Sequence, residues 1–247
     1  ELALWWFAAI APRMASSDGR RLRAALAVAL SLAVAEPVPR FNDTACPGSW
    51  ELQAPHVSAE LRPEDLEGLF YELAFHDYTQ YPLCPFAPRC ITSQKALQTH
   101  GDGVRFVNDT WNITCAGRPY RQQLLFNLTD RPGALRGYWP DAKVPLLPSG
   151  IAAGLVFPDT VVDFRRGPRG WLLEMQCVER HGQVLFVGIN FYAKAVGGAL
   201  FREMESAARL RGLGFWMDRG FGLRRVDFRE CPALGATRAE AVESLVV

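Results

Sequence analysis

Between Gly68 and Ala193 the chain is a series of short runs rich in β-branched and aromatic residues, each ended by a turn signal. The pattern predicts strands over Gly68 to Asp77, Cys90 to Leu97, Val104 to Thr110, Tyr120 to Leu128, Leu135 to Trp139, Thr160 to Phe164, Trp171 to Glu179 and Val184 to Ala193. Gly101-Asp102-Gly103, Arg131-Pro132-Gly133, Gly167-Pro168-Arg169-Gly170 and His181-Gly182 supply turns between them. The period then changes. From Gly198 to Arg211, Leu200, Phe201, Met204, Ala207 and Ala208 fall on one helical face, with Arg202, Glu203, Ser206 and Arg209 on the other. Gly212 and Gly214 supply the stop. Short strands in series followed by one amphipathic helix predict an all-β sandwich or barrel with the helix docked on its wall.

The flanks read differently. Glu36 to Gly68 is proline-rich and irregular, except that Pro63 followed by Glu64 and Asp65 suits the first turn of a short helix. The connection over residues 140–159 is too apolar for an exposed linker and reads as a lid or a packed insertion. At the other end, Arg20, Arg21 and Arg23 precede the apolar run Ala24 to Ala35, which ends in Ala33-Val34-Ala35. That is the grammar of a secretory signal peptide following Met14, with cleavage expected after Ala35 and residues 1–13 an upstream extension. The run falls short of the roughly 20 residues a membrane-spanning helix needs, so no transmembrane segment is expected in the mature chain. The expected organisation is extension plus signal peptide over 1–35, an irregular arm over 36–66, the barrel and helix over 67–231 and a mobile tail over 232–247.

Composition narrows the function. The 247 residues are 49% apolar and 21% charged, enough to bury a core, and the formal charge of +1 gives no reason to expect a nucleic-acid partner. All six cysteines lie after Ala35, and an even number in an exported chain favours three disulfides, with the pairing left open by the count. Asn42, Asn108, Asn112 and Asn127 each begin an Asn-x-Thr sequon, as expected of a glycoprotein. The chain has no Gly-x-Ser-x-Gly, His-Glu-x-x-His, phosphate loop or dinucleotide fingerprint. His76, Cys84 and Cys90 match no zinc spacing, and neither metal nor cofactor is expected. His56, His100 and His181 read as solvated surface.

Two sets of residues carry a family resemblance. Gly68-Leu69-Phe70-Tyr71-Glu72 resembles the opening lipocalin motif Gly-x-Trp-Tyr-Glu, with Phe70 in place of the tryptophan. Lys194 stands where an arginine is usual, and Asp163-Phe164 resembles the Asp-Tyr of the second motif. Cys46-Pro47, Arg89-Cys90-Ile91, Cys177 and Glu230-Cys231-Pro232 are similar to the cysteine contexts of apolipoprotein D-like lipocalins. The resemblance spans residues 46–232, with no counterpart for 140–159. It implies an eight-stranded antiparallel up-and-down barrel with one C-terminal helix on its wall. It also implies pairing of Cys46 with Cys177 and of Cys90 with Cys231, leaving Cys84 and Cys115 to pair together or stay free. The function it implies is binding, transport or sequestration of a small hydrophobic molecule by a protein that is secreted or held in the endomembrane system.

Strand alternation then nominates a pocket. In Val184 to Lys194, Phe186, Gly188, Asn190 and Tyr192 share one face, which points inward if Asn190 takes the inward position the resemblance suggests. In Trp171 to Val178 an apolar cavity favours Trp171, Leu173 and Met175 inward over Leu172, Glu174 and Gln176. With Phe70 and Glu72, the expected pocket is Phe70, Glu72, Leu173, Met175, Phe186, Asn190 and Tyr192. Disulfides that hold stability outside the core are expected to leave this interior hollow. Two alternatives remain. A carotenoid-modifying enzyme of the violaxanthin de-epoxidase-like type would use Glu72 and Glu174 as its acids, and a filled barrel would serve as a protein-binding module.

Overall fold

The computed structural model describes residues 38–39, 41–81, 88–115, 117–140 and 156–231. Eight antiparallel strands run in chain order: β1 (Gly68–Asp77), β2 (Arg89–Thr99), β3 (Arg105–Cys115), β4 (Arg118–Leu128), β5 (Ala134–Tyr138), β6 (Phe157–Arg165), β7 (Trp171–Arg180) and β8 (Gln183–Ala193). Each pairs with the next, and β1 pairs with both β2 and β8, so the sheet closes on itself. This is the expected eight-stranded up-and-down barrel, whose closure leaves no edge among these strands. A two-residue strand, β9 (Arg224–Arg225), adds to β1 beyond the helix.

The arm ahead of β1 is more ordered than its prolines suggest. It forms α1 (Ser49–Leu52), α2 (Pro55–Glu60) and a 3-10 turn at Pro63–Leu66. Pro55 and Pro63 each sit in a first helical turn, where a missing N–H costs nothing. Asp65 caps its own turn by accepting from the Arg62 backbone N–H at 2.7 Å. Leu61 and Leu66 pack with Phe70, Phe164 and Leu172, so the arm plugs one end of the barrel. Over that floor the Lys194 ammonium lies 5.4 Å from the centre of the Phe70 ring.

The wall formed by β6, β7 and β8 is buried on both faces, because the long helix α3 (Gly198–Leu210) lies against its outside. Leu200, Met204 and Ala208 meet Leu173, Met175, Val187, Ile189 and Phe191 there. This corrects the reading of β7. Trp171, Leu173 and Met175 belong to the outer, helix-facing cluster, whereas Leu172, Glu174 and Gln176 point into the barrel. An apolar stripe of α3 can be buried only against apolar partners, and β7 supplies them on its outer face. Gly212 ends the helix with φ +79° and lies so close to the Pro39 carbonyl that no Cβ fits; a short helix, α4 (Gly214–Met217), follows.

Cys46 is bonded to Cys177 on β7, and Cys90 on β2 to Cys231, the two pairings the resemblance implies. Cys115 is also disulfide-bonded, while Cys84 lies outside the described residues. So do the proposed signal segment, residues 141–155 of the apolar connection and the tail from 232. No helix among the described residues is long and apolar enough to cross a membrane. Because each mapped bridge closes a loop of more than a hundred residues, the double variant C90S/C231S should lose about 2–4 kcal/mol relative to wild type, read from urea unfolding monitored by tryptophan fluorescence.

Candidate ligand site inside the barrel

Contacts between strands that are not neighbours in the sheet define what fills the lumen. Lys95 on β2 reaches across to β7, placing its Nζ 3.0 Å from Glu174 Oε2, and lies 3.2 Å from Asp109 Oδ2 on β3. All three are at most 2% exposed. The ammonium also sits 4.6 Å from the Tyr192 ring centre and 5.3 Å from that of Phe126. Ser93 Oγ donates to Asp109 Oδ1 at 2.7 Å. Burial works against the charge of Lys95, but Asp109, Glu174 and Asp159 outweigh it and raise its pKa above the ordinary lysine value. The Asp159 side chain on β6 has no hydrogen-bond partner among the described residues. Burial, followed by the neighbouring Glu174 carboxylate, holds its pKa well above the usual carboxylate range.

A second polar layer lies nearer the end opposite the plug. Glu72 on β1 accepts from Asn190 Nδ2 at 2.7 Å, from Gln80 Nε2 at 2.9 Å and from Trp111 Nε1 at 2.9 Å. Burial still pushes its carboxyl up to about 7 against those three donors. Asp77, at the end of β1, is likewise raised by burial, although Thr79 donates to it from both backbone and hydroxyl at 2.7 Å. Around this layer Trp111, Trp139, Gln176 and Tyr192 border a cavity of about 30 Å³, room for roughly one water-sized group. The cavity is only partly enclosed and so forms a recess in this part of the lumen.

The expected pocket residues therefore divide. Glu72, Asn190 and Tyr192 come together in the lumen, and Phe186 packs in the inner apolar cluster. Phe70 forms the floor, while Leu173 and Met175 stand outside under α3. The middle of the described lumen is not the apolar chamber expected, because Lys95, Asp109 and Glu174 meet there. Sequence reasoning missed Lys95, Asp109, Asp159, Asp77, Gln80 and Trp111. One signal was present: the Gly101-Asp102-Gly103 turn sets a register in which Lys95 and Asp109 stand opposite each other, an opposite-charge cross-strand pair.

Other expectations fall outside the lumen. Asn108 and Asn112 on β3 and Asn127 on β4 alternate with the inward residues Val107, Asp109, Trp111 and Phe126, so their side chains face outward; Asn42 is exposed in the arm. His56 lies 3.1 Å from Asp163, and His100 stacks on Phe106 with centroids 3.9 Å apart, while His181 is exposed in its turn. His76 is buried and bonds to the Gly222 carbonyl at 3.1 Å. No group of three His, Cys, Asp or Glu among the described residues could hold a metal ion.

The fold has known counterparts. The chain is similar to the structure of apocrustacyanin C1, at 10% identity and a TM-score of 0.54, over 79% of this chain and 96% of that one. It is equally similar to lobster apocrustacyanin A1, at 10% identity and a TM-score of 0.53, over 80% of this chain and 97% of that one. No family model matches the sequence, and no curated protein is close enough in sequence to match.

Two outcomes follow from the charged interior. Lys95→Met leaves Asp109 and Glu174 without their cation and should destabilise the fold by about 3–5 kcal/mol at pH 7.5, with much of the loss recovered at pH 5, where protonation removes the stranded charge. Glu72 takes up its proton more readily folded than unfolded, so its contribution is fully present below the ordinary value of 4.5 and is lost as pH rises through about 7. Unfolding free energy should therefore fall by about 3 kcal/mol from this residue across that window. Glu72→Gln should flatten the slope, as measured by urea titrations at stepped pH.

Proposed function

We propose that this chain, which has the lipocalin fold, binds and carries a small, mainly apolar molecule at the mouth of its barrel. The observation that carries this reading is an interior plugged at one end by Phe70 and the arm, with an aromatic and polar recess at the other. In that recess Trp111, Trp139 and Tyr192 offer apolar faces, with Glu72 and Asn190 at its base. The ligand would be an amphipathic one, with a compact polar head beside Asn190 and Gln80 and an apolar body against the faces of Trp111, Trp139 and Tyr192. Transport or sequestration is the role such a site serves. Disulfide bonding, the outward sequon asparagines and the apolar run before Ala35 support a glycosylated protein that is secreted or held in the endomembrane system.

Binding is favoured over the carotenoid-modifying alternative by the state of the two candidate acids. Glu174 is ion-paired with Lys95, and Glu72 is surrounded by three N–H donors that treat it as an acceptor. Glu174 is thus held in an ion pair, and both oxygens of Glu72 are taken up by donors of the barrel itself.

The test is titration of protein secreted from eukaryotic cells with retinol, oleate and an anilinonaphthalene dye, read by tryptophan quenching, beside native mass spectrometry of the protein as purified. One-to-one saturable quenching, reduced in Trp139→Phe, or a retained small molecule is the expected result. No retained mass and no saturable quenching by any of the three would overturn the reading in favour of a filled barrel.

A further inference from the structure

Five carboxyl groups face the described lumen: Glu72 and Asp77 from β1, Asp109 from β3, Asp159 from β6 and Glu174 from β7. Lys95 is the cation among them, and it is committed to Asp109 and Glu174. Two carboxyls at the mouth layer, Glu72 and Asp77, have no cationic partner among the described residues. Buried acids left in this way either keep a proton or acquire a cation.

A second observation says where a cation would sit. Asn190 Oδ1 and Gln80 Oε1 are buried with no hydrogen-bond partner among the described residues, on residues only 1% and 6% exposed. Both residues border the cavity, and each has already turned its amide nitrogen to Glu72. Their carbonyl oxygens are acceptors that need an N–H or O–H from whatever occupies the space. Trp111 and Trp139 present rings to the same space, while the Tyr192 ring is already shared with Lys95 deeper in the barrel. Gln122 Nε2 on the β4 side is a donor with no partner among the described residues, fitted to a hydroxyl or carbonyl on the ligand body.

We propose that the mouth cavity selects a ligand bearing a protonated primary or secondary amine, whose N–H groups bond Asn190 Oδ1 and Gln80 Oε1 and whose charge is met by Asp77 and Glu72. An ammonium head is about the size of a water molecule and matches the cavity of about 30 Å³. It also brings two or three N–H donors, which a quaternary ammonium lacks. This inference rests on the barrel-mouth binding proposed above and adds the chemistry of the ligand's head.

The experiment compares four molecules with one apolar body: 2-phenylethylamine, 2-phenylethanol, 3-phenylpropanoate and the N-trimethylated amine. Each is titrated into the full secreted protein at pH 7.5, read by tryptophan quenching and isothermal calorimetry. The amine should bind at least tenfold more tightly than the alcohol and the carboxylate, and more tightly than its quaternary form. Asp77→Asn, which keeps the acceptor for Thr79 but removes the charge, should erase most of the preference of amine over alcohol, with urea unfolding run alongside to confirm that the variant is folded. Should that variant fail to fold, the same ratio measured in Glu72→Gln serves. Equal affinity for amine and alcohol would overturn the inference while leaving a barrel-mouth binder in place. Absence of binding by all four, together with retinol, oleate and the dye, would overturn both readings and assign the cavity to water.

Discussion

The placement of one lysine inside a closed barrel governs much of the rest of this structure. An ammonium taken out of water is tolerated only where carboxylates and aromatic faces replace its hydration, and Lys95 has Glu174 and Asp109 within 3.2 Å with two aromatic rings beside it. That cluster joins β2 to β3 and β7 through the centre of the molecule, where most small barrels rely on interdigitated apolar side chains. It fixes the facing of β7, because Glu174 must reach Lys95. It also divides the lumen into an apolar floor around Phe70 and a polar mouth around Glu72.

The same constraint explains which parts of the architecture were legible in the sequence. Strand positions and the helix could be read because turn residues and the change of period from two to about 3.6 are local signals. On β8, Asn190 located the inward face, and Val187, Ile189 and Phe191 went to the helix as alternation requires. On β7 every residue from Trp171 to Cys177 is buried, so polarity could not distinguish inside from outside. The hairpin turn alone misleads, because the register of Arg180 with Gln183, continued without a break, sets Leu173 opposite Asn190. Glu174 pairs across the β7–β8 hairpin with Asn190, and residues directly opposite share a face. The bulge between Val178 and Glu179 makes that pairing, and it is what turns Glu174 rather than Leu173 into the lumen.

The rest of the site lay beyond pattern reading for a different reason. Lys95, Asp109 and Asp159 occupy alternate positions in strands where polar residues usually mark the solvent face, and only their mutual proximity makes inward burial tolerable. Tertiary partners from four strands decide the matter: β2, β3, β6 and β7. Phe70 in place of tryptophan is a milder case. The Lys194 ammonium lies 5.4 Å from the centre of the Phe70 ring, so a cation sits over an aromatic floor even with the smaller ring.

The two mapped disulfides overlap along the chain: one joins residues 46 and 177, the other 90 and 231. Bridges that overlap in this way have a topological property that sequential ones lack. A single peptide-bond scission anywhere between Cys46 and Cys231 leaves the two pieces covalently linked, and between Cys90 and Cys177 they are linked twice. A protease that reaches one loop of this barrel can therefore nick the molecule without shedding a fragment, and the cut chain keeps its strands within reach of their partners.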